Sequence, residues 1–154
     1  MIQIYYGFGK GKTTAALGLG MRAKGAGKSV LLIQFLKDNK SSELKELPFE
    51  IFEAPESIPF NPGREYQTWV DSALEYVKNS KCDIIILDEF LDITGSFIDE
   101  KSAVDFISSL SSEVIITGHK EIKALFDIAD YITHMEKIKH PFDKGVKARR
   151  GIEF

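Results

Sequence analysis

Eight consecutive residues, Gly7-Phe8-Gly9-Lys10-Gly11-Lys12-Thr13-Thr14, carry the clearest chemistry in the chain. Three glycines let a backbone curl until successive N–H groups point inward, and a helix starting at once adds the partial positive charge of its N-terminus. That combination binds phosphate. In this reading Gly7, Phe8, Gly9, Lys10, Gly11, Lys12, Thr13 and Thr14 enclose a polyphosphate, with Lys12 reaching its outer groups and the Thr13 hydroxyl holding Mg²⁺. The spacing departs by one residue from the general pattern G-x-x-x-x-G-K-[ST], whose first glycine would fall at Tyr6 instead of Gly7.

Two further clusters have types suited to the same site. The apolar run Ile84-Ile85-Ile86-Leu87 ends in Asp88-Glu89. Carboxylates at the carboxyl end of a buried strand can hold Mg²⁺ directly or through its waters, because this hard cation prefers oxygen. They could equally be a solvated strand end or a helix cap. The run Ile115-Ile116 leads into Thr117-Gly118-His119, which the same topology places at the ligand edge. There His119 is either a phosphate sensor or an ordinary loop histidine.

Strands and helices must alternate to bring these clusters together. Short apolar runs at 2–6, 30–35, 49–54, 84–88, 114–117 and 131–135 predict strands, several of them continuous rather than alternating, as in a parallel sheet covered on both faces. Helical spacing predicts helices at 12–24, 63–79, 100–109 and 121–128. In the second of these, Tyr66, Trp69, Val70, Ala73, Leu74 and Val77 recur on one face. The β-α-β rhythm implies an α/β fold with right-handed crossovers: a three-layer α/β/α arrangement with a mainly parallel sheet, a P-loop NTPase of RecA-like type. The stretch 38–62, with Pro55, Pro59 and Pro62, reads either as a mobile cover over a ligand or as a surface excursion.

Length and composition restrict the rest. At 154 residues, 44% hydrophobic and 28% charged, the chain fits a single nucleotide-binding domain over 1–154. A net charge of −3 argues against a general nucleic-acid binder. The distribution is uneven, however. The first 28 residues carry five basic and no acidic side chains, and the segment 137–154 carries six basic against two acidic. Two basic ends around an acidic middle point either to one anion site served by both or to a basic tail lying in water. With one cysteine, Cys82, no internal disulfide is available. No apolar run is long enough for a membrane span, and no signal peptide precedes the first strand. The expected location is the cytoplasm, away from membranes.

Outside the loop, the chain resembles the P-loop family of ATP:corrinoid adenosyltransferases. The resemblance runs through GKGKTTAALGLGMRAKGAGK, VLLIQFLK, IIILDE, IITGH with ALFDIADYIT, and the closing KHPFDKGVKARRGIEF. That family shares the shortened loop, and the tail pattern is its most specific feature. The resemblance implies ATP and a corrinoid as substrates, Mg²⁺ as cofactor, and transfer of the 5′-deoxyadenosyl group to Co(I) with release of triphosphate. It also implies Lys12 and Glu89 as catalytic groups, Thr13, Glu89 and Asp88 around the metal, and Arg22 on the phosphates. A reductase or flavoprotein as electron donor and a homodimer come with it. Several positions depart from the family pattern: His119 replaces an arginine, His134 a glutamate and Asp38 a glycine. The aromatic pair that acts on the corrinoid's lower face has Phe60 as its nearest counterpart. The alternatives are a P-loop ATPase or kinase without corrinoid chemistry, and a module that binds nucleotide or corrinoid without turnover.

Overall fold

In the computed structural model, residues 1–38, 41–59 and 62–152 are described. The sequence-predicted Phe60 contact lies outside them.

Six parallel strands form one sheet in the order β3-β2-β4-β5-β1-β6. They are β1 (Ile2–Tyr6), β2 (Val30–Gln34), β3 (Glu50–Ile51), β4 (Ile84–Asp88), β5 (Glu113–Gly118) and β6 (Tyr131–His134). Every pairing is parallel, so the sheet expected to be mainly parallel is wholly so. β5 separates the glycine-loop strand β1 from the acid-bearing strand β4. The expected strand at 49–54 contracts to two residues at the sheet's edge.

The helices are α1 (Lys12–Gly25), α2 (Arg64–Asn79), α3 (Phe90–Ile93), α4 (Glu100–Ser109) and α5 (Lys123–Phe126). They divide unequally between the two faces. On one face α1 lays Ala16 and Leu17 against Val30, Leu32, Ile86 and Ile115, with Leu44 completing the patch. The other face carries a larger core in which Tyr66, Val70, Ala73 and Val77 of α2 meet Ile33, Ile85, Leu87 and Ile116, joined by Phe90, Phe106 and Leu125. This is the three-layer fold.

Local sequence accounts for the element ends. Asp99 caps α4 by accepting the Ser102 N–H at 3.0 Å. α1 ends in Arg22 and Lys24, cations suited to a helix C-terminus, and Gly27 then takes φ +81 to turn into β2. The expected helix at 121–128 is a single turn, and the four-residue α3 directly after β4 was not expected.

Candidate active site

The glycine loop is built by close approach. A Cβ on Gly7 or on Gly9 would lie 2.6 Å from the Met135 carbonyl oxygen, and the Gly9 N–H donates to that carbonyl at 2.6 Å. The Gly7 N–H donates to Gly118 O at 3.1 Å. The loop is thus pinned between the ends of β5 and β6, and only glycine fits there. Gly11 then enters α1 with φ +112, no side chain caps the helix, and its first turn has no acid. The helix N-terminus is left to an external anion. Lys12, 7% exposed, folds back to donate to Gly9 O at 3.2 Å. A cavity of about 1090 Å³ opens here, lined by Gly9 to Thr14, Lys37 and Glu89, and at its rim by Gly151 and Ile152 of the tail.

Asp88 organises the floor. It is fully buried, yet four donors satisfy its carboxylate. Thr13 Oγ1 and Thr117 Oγ1 donate to Oδ1 at 2.9 and 2.7 Å. Gln34 Nε2 and Lys37 Nζ donate to Oδ2 at 3.0 and 2.6 Å. A buried carboxylate needs such compensation. β5 supplies Thr117, which also accepts the Glu89 N–H at 2.8 Å. Lys37 reaches Thr13 Oγ1 at 3.0 Å as well.

Glu89 holds an unusual backbone, with φ +61, a conformation that costs energy in a non-glycine residue and recurs at functional sites. Its carboxyl is pushed up to about 8, chiefly by burial, then by its hydrogen bond with Asp92 and the charge of Asp88. Oε2 is buried and finds no hydrogen-bond donor among the described residues. In the metal-free protein, burial and the two acidic neighbours therefore favour the protonated form of Glu89. Burial alone would raise Asp92 too, but hydrogen bonds from Glu89 and His119 outweigh it and hold that carboxyl below its usual range. His119 Nδ1 lies 2.9 Å from Asp92 Oδ2 and 3.4 Å from Glu89 Oε2. Its backbone N–H also donates to Asp92.

The sequence-predicted residues gather unevenly. Gly9, Lys10, Gly11, Lys12, Thr13, Thr14 and Glu89 line the cavity, and Asp88 supports it from beneath. Gly7 shapes the loop rather than lining the cavity. Phe8 is 73% exposed, its ring 5.4 Å from that of His119. Arg22 is exposed near the end of α1, outside the cavity lining, although its neighbour Met21 contributes. His134 stacks on Tyr6 at 4.7 Å. Lys37 and Asp92 were missed as site residues. Lys37 stands in the quoted VLLIQFLK run with nothing local to mark it. The signal for Asp92 was its place three residues after Glu89, one helical turn on.

A family model described as ATP:corrinoid adenosyltransferase BtuR/CobO/CobP matches residues 1–154. The chain belongs to this family. A corrinoid adenosyltransferase CobA of Salmonella typhimurium is 30% identical over all of this chain and 85% of its own length. Corrinoid adenosyltransferases of Sinorhizobium sp and Escherichia coli K12 are each 28% identical over all of this chain, covering 80% and 85% of theirs. In this chain the seat of the glycine loop against Met135 gives the physical reason Gly7 and Gly9 tolerate no side chain.

Among the described residues no helix is long and apolar enough to cross a membrane.

Proposed function

We propose that the protein transfers the 5′-deoxyadenosyl group of ATP to the Co(I) centre of a corrinoid and releases inorganic triphosphate. One observation carries this reading at the site: a single cavity joins the anion-binding loop to the end of the family's tail at Gly151 and Ile152. The triphosphate lies along Gly9 to Thr14, where N–H groups of the first turn of α1 and the Lys12 ammonium receive it. Cobalt donates an electron pair to C5′, the Co–C bond forms, and the C5′–O bond breaks with its pair on the triphosphate. Cobalt ends formally as Co(III). The protein need not activate water. Its work is to align C5′ with the metal and to stabilise charge on the leaving group with preorganised donors.

The residues present fit a divalent ion. Glu89 presents a buried oxygen without a hydrogen-bond partner among the described residues, and it lines the same cavity as Thr13, whose hydroxyl donates to Asp88. Thr13 and Glu89 would hold Mg²⁺, with Asp88 supporting them from beneath by accepting the Thr13 hydroxyl. When bound, Mg²⁺ neutralises phosphate charge and orients the leaving group. Arg22 would serve a nucleotide extending past Met21. We place the reaction in the cytoplasm of a reducing cell, in one domain spanning 1–154, with an electron-donating reductase or flavoprotein as partner and a homodimer as the assembly.

Anaerobic incubation with chemically reduced cobalamin and Mg·ATP tests the function. The expected outcome is a light-sensitive Co–C product together with triphosphate in equal amounts. ADP and phosphate without a corrinoid product would overturn it.

A further inference from the structure

We propose that Lys37 is a resident cation. Its ammonium occupies the divalent-ion position while nucleotide is absent, and it moves onto the triphosphate when Mg·ATP loads. The inference deepens the adenosyltransferase reading and rests on it for the identity of the incoming ligand.

The geometry is specific. Lys37 Nζ lies 2.6 Å from Asp88 Oδ2, 3.0 Å from Thr13 Oγ1 and 3.8 Å from Glu89 Oε1. The two nearer contacts are the hydroxyl and the carboxylate between which a phosphate-bound metal stands, and the third is the carboxyl that would ligate it. An ammonium and a divalent ion cannot share those oxygens, because at contact distance in a site of low effective dielectric their repulsion is large. One must leave.

Lys37 is built to do so. Asp88 is fixed by burial and four donors, but the Lys37 side chain is 29% exposed and sits on a flexible stem that lines the cavity. Its backbone, by contrast, is anchored. Leu36 just before it takes φ +55, and the Leu36 N–H donates to the Tyr66 hydroxyl at 2.6 Å. A held backbone with a mobile head confines the ammonium to two places, the carboxylate floor and the space along Gly9 to Thr14. In the second place it meets the triphosphate and offsets the charge that grows as the C5′–O bond breaks.

Mn²⁺ serves as an electron-spin-resonance probe, titrated into the nucleotide-free full-length protein. Lys37→Met keeps much of the stem and removes the charge. It should bind Mn²⁺ at least tenfold tighter than the wild type, and Mg·triphosphate at least tenfold more weakly. Equal or weaker Mn²⁺ binding by a variant whose thermal melt shows it folded would overturn the proposal. Should Lys37→Met not fold, the wild type decides. Its Lys37 ¹⁵Nζ resonance should shift on addition of Mg·triphosphate, and an unmoved resonance on a protein that binds the ligand overturns it. Neither readout involves a corrinoid, so absence of Co–C product would sink the activity while leaving the Mn²⁺ result to judge Lys37.

Discussion

Each side chain at this site acts through its neighbours, and Glu89 shows it most directly. Its carboxyl, ordinarily near 4.5, titrates at about 8 in the folded protein. The unfolded chain therefore releases a proton that the native state keeps. The stability contributed by this group is complete below about pH 4.5 and is lost as pH rises through 8. In metal-free buffer the melting temperature of the wild type should fall relative to Glu89→Gln between pH 5 and 8, by about 3 °C or more. A constant difference across that range would show that Glu89 is already ionised. The glycine loop, Lys12, Thr13 and the Asp88-Glu89 pair were legible in the sequence because each stands in a local pattern. Lys37 was not, and Asp92 had only its place one helical turn after Glu89 to mark it. Lys37 meets its partners Thr13 and Asp88 across 24 and 51 positions, and Asp92 meets His119 across 27. Such pairs are set by sheet order, which no local spacing encodes.

At the scale of elements, α3 is the piece that sequence reading left out. Phe90-Leu91-Asp92-Ile93 follows an apolar strand and is itself mostly apolar, so periodicity over four residues cannot separate a helical turn from more strand. Its purpose is plain in the fold. Phe90, Leu91 and Ile93 are fully buried, and their turn lifts Asp92 back towards His119. Phe90 packs its ring against Phe35 and Phe106 at 5.7 and 6.1 Å. Phe90→Ala should cost about 3–5 kcal/mol of stability, measured by denaturant unfolding. It should also weaken the Asp92–His119 hydrogen bond, seen as a change in the His119 ring resonances by NMR. The single-turn α5 fell short of the expected 121–128 for a related reason. Ile128 and Ala129 pack against the core without continuing the helix, so an apolar face extended beyond the hydrogen-bonded turn. Elements with many periods, such as α2, were read to within a residue.

For the molecule as a whole, the uneven charge along the chain acquires a location. The basic first segment forms the loop, and Gly151 and Ile152 of the basic tail line the same cavity. Among the described residues, nearly the whole tail from 137 onward is exposed, so it contributes little to the core. Ile152→Asp should leave the melting temperature within about 1 °C, as surface substitutions do, while raising the KM for ATP or corrinoid several-fold. An unchanged KM for both would show that the tail end takes no part. The far edge of the sheet carries a different implication. Strand β6 is an edge strand with every residue exposed, the kind of element that ordinarily frays first. Yet the Gly9 amide hangs from Met135, the residue directly after it. Fraying at this border would unseat the anion cradle, and a filled cradle must in turn splint the border. Ligand occupancy should therefore be legible as slowed amide exchange in residues 131–135, although they contribute nothing to the cavity wall.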